Sequence, residues 1–302
     1  MAVITTGNHP KALWPGVYKW FGAKYDEHET EYDKLFDVVG SSKAYEEEVE
    51  HTSFGLAPIK AQGSPVVYDG NSQGNVARYT HVAYALGYIV TREELADNLY
   101  KEVSMNRAAA LAFSMAQTRE NVGANVYNRA FSNSYVGADG LELLSTAHTM
   151  ANGGTFSNEL STAADLSEAS LEDIAVQIMQ ATNSKGMKIS LRPTALLVPP
   201  QLVFEAERIL KSTLQNDTAN NAVNALRSRG VIPTVHVNHY FTDADAWFVR
   251  TNAPSGLRWF NREAVEFTKD SDFDTDNAKA KGYMRFSVGW TDPRGLYGSP
   301  GA

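Results

Sequence analysis

Between Arg92 and Phe131 the chain runs for about 40 residues without a proline and with a single glycine, Gly123. Thr91-Arg92-Glu93-Glu94 opens this stretch as a capping box, with Thr91 as N-cap and Glu94 at N3. Leu95, Leu99 and Val103 recur at helical spacing, and Ala109, Ala112, Met115 and Ala116 continue an apolar stripe of mostly small residues. A helix of this length spans ~60 Å at 1.5 Å per residue. The expectation is one long structural spine over residues 92 to 131, with Gly123 as the place for a bend. Such a rod dictates how everything else is arranged along it.

Of the 302 residues 43% are hydrophobic and 21% charged, which is globular composition and excludes general disorder. Ahead of the spine, Trp14, Tyr18, Trp20, Phe21, Tyr25, Tyr32 and Phe36 are interleaved with charge, and a short helix is expected within residues 26–37. An arm this aromatic needs a surface to lie on. The acidic run Glu46-Glu47-Glu48-Val49-Glu50 follows and reads as a solvated face. Gly55, Pro58, Gly63, Pro65, Gly70 and Gly74 then break up a β-rich excursion that ends in the β-branched and aromatic run Val76–Val90. Beyond the spine, residues 132–166 are loop-rich. Leu171, Ile174, Ala175, Ile178 and Met179 mark an amphipathic helix. Thr194–Val198 is a short buried strand, residues 201–214 a helix, and Val231–Val237 and Ala246–Arg250 paired strands. Helix, strand, helix, strand, strand between 168 and 252 reads as a compact α/β subdomain. Leu171, Ile174, Ile178, Leu196, Val198 and Phe248 are its expected core. The last 50 residues return to strands, so the fold class is α+β.

Charge and composition exclude several functions. With 27 Lys+Arg against 35 Asp+Glu the net charge is -8, unsuited to tight sequence-independent DNA binding, which requires phosphate neutralisation. The absence of cysteine excludes disulfides, thiolate nucleophiles and Cys-based metal sites. No apolar run approaches the ~20 residues of a membrane span, and residues 1–10 lack signal-peptide organisation.

Three motifs suggest chemistry and each fails on its context. Gly70-Asn71-Ser72-Gln73-Gly74 fits the G-x-S-x-G nucleophile elbow, but an elbow needs a helix after it and here a strand follows. His236 and His239 sit three apart in or just after a strand, so they point to opposite faces and do not converge on a metal. Asp270, Asp272, Asp274 and Asp276 alternate, yet neither register supplies the glycine and glutamate of an EF-hand, and the stretch reads as a solvated acidic turn. No P-loop or G-x-G-x-x-G is present. The chain is expected to be no enzyme, with no catalytic residue, metal or cofactor.

The order of elements resembles the Hong Kong 97-type capsid fold of tailed bacteriophages. Three stretches are more specific: Asp139-Gly-Leu-Glu-Leu-Leu-Ser-Thr-Ala-His-Thr149 followed by Gly153-Gly154, then Leu196-Leu-Val-Pro-Pro-Gln-Leu202, and then Gly289-Trp-Thr-Asp-Pro-Arg-Gly-Leu-Tyr-Gly298. These resemble the Mu-like prophage major head subunit family. The resemblance implies an N-terminal arm (1–50), an extended β loop with flanking strands (51–91), a peripheral domain with the spine helix (92–166), an axial α/β domain (167–253) and a return to the peripheral domain (254–302). It implies a major capsid protein that self-assembles into hexamers and pentamers of an icosahedral shell around phage DNA, gripping that DNA only weakly. It also implies a separate scaffolding protein, a portal and a decoration protein as partners, no membrane, and assembly in the host bacterial cytoplasm into the virion capsid. No charged helical segment precedes the arm as a fused scaffold, and Met1 speaks against an N-terminally trimmed chain. The arm (1–50) and loop (53–84) are expected to contact neighbours more than their own subunit. Trp14, Trp20, Lys60, Tyr68 and Arg78 are the expected interface residues, with Lys60 and Arg78 meeting acidic groups such as Glu46–Glu50 of a neighbour. The alternatives are an encapsulin-like compartment shell, a serine hydrolase using Ser72, and a tail-tube or other structural phage protein.

Overall fold

A computed structural model describes residues 19–96, 100–150, 153–215, 222–272, 274 and 276–302. Trp14 and Tyr18 lie outside these residues, as do the side chains of Leu95, Leu99 and Val103.

The spine is present as helix α4, Tyr100–Asn128, preceded by the short α3, Arg92–Ala96. At 1.5 Å per residue α4 alone is ~43 Å long. The Glu94 backbone N–H donates to the Thr91 hydroxyl at 3.4 Å, the first half of the expected capping box. The buried stripe runs through Ala108, Leu111, Ala112, Met115, Ala116, Ala124 and Tyr127. Among the described residues it runs through Ala108, while Ala109, expected on the stripe, is half-buried. The helix continues through Gly123. A Cβ at this position would lie 3.3 Å from Tyr32 and 3.4 Å from the Trp259 ring, so the glycine admits those two aromatics against the spine.

The arm supplies a helix at 19–26 (α1) and α2, Tyr32–Leu35, where sequence suggested one helix over 26–37. Strands β1 (Asp37–Gly40), β4 (Val82–Val90), β10 (Leu257–Ser271) and β11 (Ala278–Trp290) form a sheet in the order β1-β10-β11-β4, with β1 parallel to β10 and the other pairs antiparallel. α4 lies along β11 and β4. The core between them contains Leu35, Phe36, Met115, Trp259 and Phe286, with Trp259 stacked on Phe286 at 4.4 Å.

A second sheet has the order β12-β9-β7-β8, built from β7 (Pro193–Val198), β8 (Thr234–Val237), β9 (Trp247–Thr251) and β12 (Leu296–Ser299), so β7 lies between β8 and β9 and the expected direct pairing of 231–237 with 246–250 does not form. Helices α5 (Glu168–Met179), α6 (Val203–Lys211) and α7 (Ala225–Arg229) accompany it. Ser167 and Ser170 form a reciprocal capping box at the start of α5. The expected helix over 201–214 is shorter, a 3-10 turn at Pro200–Leu202 followed by α6. Strand alternation sends Leu196, Val198, Trp247, Val249 and Tyr297 to the core under the helices, with Leu171, Ile174 and Ile178. Ala195, Leu197, Phe248 and Leu296 face the first core instead. Phe248 meets the Tyr127 ring of the spine at 5.3 Å. All six residues expected in the subdomain core are buried. Because the sheet is covered on both faces, Phe248 serves the spine side. Arg250 reinforces the junction through Asp37 at 2.5 Å and the Lys34 carbonyl at 3.0 Å.

Candidate assembly surface

The extended excursion consists of β2 (Tyr45–His51) and β3 (Gln73–Thr80), antiparallel, joined by residues 52–72. The glycines and prolines of the connection cannot sustain a ladder, and Gly63 takes φ +82° at the tip, a conformation that favours glycine. Phe54, Leu56, Ile59, Val66, Val67 and Tyr68 are all exposed, with Leu56 at 84%, Ile59 at 101% and Tyr68 at 92%. Six large apolar side chains on one ~20-residue excursion form a patch that water does not favour. Below the tip, Asp69 accepts the Gly55 N–H at 2.7 Å and meets Lys185 of the second unit at 3.3 Å.

The excursion stands on a rigid base. The Tyr79 hydroxyl lies 2.6 Å from that of Thr291, which donates to Glu48 at 2.6 Å, and Arg258 reaches Glu48 at 3.3 Å. Burial raises the Tyr79 phenol above its ordinary pKa, so it stays a neutral hydroxyl. Its ring packs edge-on against Phe260 at 4.8 Å. Buried His81 spans Ser41 at 3.1 Å and Ser287 at 3.0 Å. Burial is the main cause, and Arg285 the second, that lowers its pKa. A partnered base carrying an apolar tip can dock against another surface.

Two of the family-like stretches meet beside this base. Asp139 lies 2.6 Å from Nδ1 of the buried His148, whose Nε2 faces the Leu143 carbonyl at 3.2 Å. His148 stacks on Phe156 at 5.1 Å, and the Arg294 guanidinium covers the same ring at 3.8 Å while pairing with Asp292. The fully buried Asn158 ties the pieces together. Its amide nitrogen lies within 2.8–3.1 Å of the carbonyls of Leu143, Pro293 and Leu296, and its oxygen accepts the Ser145 N–H at 2.9 Å. The stretches are thus packing joints. Sequence reasoning passed over Asn158, since no local pattern marks an asparagine that bridges carbonyls 135 residues away.

The expected residues fall differently from one another. Lys60 and Tyr68 are exposed on the excursion. Arg78 lies over the Tyr45 ring at 3.9 Å and 3.8 Å from Glu47, directly opposite on β2, so its acidic neighbour is in its own chain. Trp20 is 38% exposed and carries Lys24 at 4.9 Å over its ring. The expectation that the arm makes few contacts in its own subunit is overturned for residues 21–36. Phe21, Tyr25, Leu35 and Phe36 are buried in the chain's own core, and Tyr32 meets Trp259 at 4.5 Å. Local aromatic content said that a surface was needed, and the sheet–spine core supplies it.

The discarded chemistry takes concrete form. The Ser72 hydroxyl lies 3.1 Å from that of Thr52, and the Ser72 N–H donates to the Thr52 hydroxyl at 2.7 Å, which closes the base of the turn. His239 pairs with Glu31 at 2.5 Å, and His236 sits apart in β8 with its pKa lowered mainly by burial. The acidic turn joins β10 to β11, with Asp272 held by Lys279 at 2.6 Å and Asp276 by Arg92 at 2.5 Å. Among the described residues no group of three His, Asp or Glu side chains could hold a metal ion, and no helix is long and apolar enough to cross a membrane.

A family model described as phage capsid protein matches residues 75–299. No curated protein matches the sequence. The chain is similar in structure to the capsid of Myoviridae phage XM1, at 8% identity and TM-score 0.52, covering 92% of this chain and 97% of that one. It is similar to the capsid of cyanophage P-SCSP1u at 13% identity and TM-score 0.52, covering 89% and 87%. A virus-like particle from Pyrococcus furiosus aligns at 12% identity and TM-score 0.50, over 95% and 98%. Spine, excursion and two-sheet body share the Hong Kong 97-type fold with these capsids. The chain belongs to the phage capsid protein family, and it is a major capsid protein that assembles with copies of itself into a shell.

Proposed function

We propose that the β2–β3 excursion is the clasp between subunits of an icosahedral head enclosing phage DNA. The observation that carries this reading is the exposed apolar tip, Phe54 to Tyr68, on a base held by the Tyr79–Thr291–Glu48 hydrogen bonds. Lys60 and Tyr68 dock on a neighbour with it, Trp14 and Trp20 contribute from the arm, and Arg78 acts by stiffening the excursion. Arm, excursion, peripheral, axial and returning segments divide the chain near 50, 91, 166 and 253. Burying obligate surface requires no catalytic group, and the subunit acts as a structural protein. Its net charge of -8 suits a wall that does not grip packaged DNA. Assembly takes place in the host bacterial cytoplasm on a separate scaffolding protein around a portal, with a decoration protein added outside. The three family-like stretches support a Mu-like head subunit within the family.

Replacing residues 56–68 by a short Gly-Ser linker tests the clasp. Free subunits should melt as the wild type does, while electron microscopy should find closed particles only for the wild type. Closed particles from the linker variant would refute the clasp, and a wild type that never closes a shell with its scaffold would refute the assembly reading.

A further inference from the structure

The second unit carries two unlike patches on opposite edges of its sheet. The order β12-β9-β7-β8 puts α5 beside β12 at one edge and α6 with α7 beside β8 at the other. α5 shows solvent an acidic first half, with Glu172 and Asp173, and an apolar second half, with Val176 48% and Met179 47% exposed. The opposite flank also exposes apolar groups, Phe204 at 75% and Val223 at 67%, but beside them stand the exposed Arg227 and Arg229 of α7. On α6 the charges cancel internally, since Glu205 pairs with Arg208 and Glu207 with Lys211, each at 2.5 Å. Among the described residues the charge of that flank is therefore set by Arg227 and Arg229. On the α5 flank Lys188 donates to the Gln180 carbonyl, just past the end of the helix away from the carboxylates. Glu172, Asp173, Arg227 and Arg229 form no ion pair among the described residues.

We infer that the α5 flank of one subunit docks on the α6–α7 flank of a second copy, Glu172 and Asp173 against Arg227 and Arg229, with Val176 and Met179 against Phe204 and Val223. Opposite charge next to apolar surface on two different flanks cannot satisfy itself by a two-fold contact, which would set like against like. It suits a head-to-tail contact, and when the rotation closes such contacts generate rings. The apolar groups supply the attraction and the charges set register and reject the flipped orientation. This inference rests on the shell reading and adds to it which surfaces meet.

The chain has no cysteine, so introduced thiols report without background. Asp173→Cys with Arg227→Cys, treated with a short bis-maleimide during assembly, should give a covalent ladder from dimer upward, while either single variant stays monomeric on the gel. Glu172→Lys with Asp173→Lys, and separately Arg227→Glu with Arg229→Glu, should each lower assembled protein more than about tenfold, as expected when like charges costing over ~1.4 kcal/mol face each other. Mixing the two variants restores opposite pairs all round an alternating six-membered ring, though not a five-membered one, and should restore hexameric rings. Closed particles without a ladder, self-linking of a single-cysteine variant, or no recovery on mixing would overturn the flank pairing alone. A ladder without closed particles would leave the pairing standing and overturn the shell reading. A monomer under every condition would overturn both.

Discussion

Glu120 of the spine is a buried carboxylate that gains from losing its charge. It is 4% exposed and accepts the backbone N–H groups of Tyr32 at 2.8 Å and Glu31 at 3.2 Å, fastening the arm to α4. Burial pushes its pKa from 4.5 to about 7, against the opposing pull of those N–H groups and of Arg119. The sign follows from linkage. The unfolded carboxyl ionises near 4.5 while the folded one does not until about 7. Stability from this group is therefore full below 4.5 and is lost as pH rises to 7. The move from 4.5 to about 7 sets an upper bound of ~3 kcal/mol, with ~1–2 kcal/mol expected after relaxation around the site. Glu120→Gln keeps an oxygen for both N–H groups and removes the charge. In thermal melts of free subunits it should match the wild type at pH 4.5 and exceed it at pH 8, by about 2–3 °C at the per-residue unfolding entropy of globular proteins. Equal destabilisation at both pH values would show that the carboxylate's charge fastens the arm, refuting the burial account.

Asn158→Ala would strand the carbonyls of Leu143, Pro293 and Leu296 and the Ser145 N–H, and should cost ~2–4 kcal/mol in denaturant melts; a loss under ~0.5 kcal/mol would mean the joint stands without it. Ala109→Pro breaks the interior of α4 and should cost ~3 kcal/mol or more and abolish particles; normal particles by electron microscopy would contradict the role of the spine. Ser72→Ala should leave particle yield and morphology unchanged, since its hydroxyl only meets Thr52; an esterase activity lost in that variant would contradict the structural reading.

Much of the body was legible because its signals are local. The long helix, the α5 stripe apart from the outward-facing Met179, and the strands of the second unit follow from periodicities of 3.6 and 2 and from caps and breakers within a few residues. The breaks in the excursion were also readable from the glycines and prolines between 55 and 70, although Gly74 sits within β3 and the expected β excursion over 52–91 takes up strand again only from Gln73. What each segment packs against is a non-local matter. The aromatic arm could equally have covered a neighbour. The spine's Gly123 leaves room for Tyr32 and Trp259, and that pocket, which no local pattern encodes, draws the arm into the chain's own core. Arg78 meets Glu47 because the register of β2 on β3 sets them opposite each other. The sequence by itself determined which segments are rods, strands and breaks, because those choices are made by neighbouring residues. Only the tertiary structure decided which partners meet, as when Asn158 finds Pro293 or Tyr79 finds Thr291, because such contacts join residues more than a hundred positions apart and exist only once the sheets have closed over the spine.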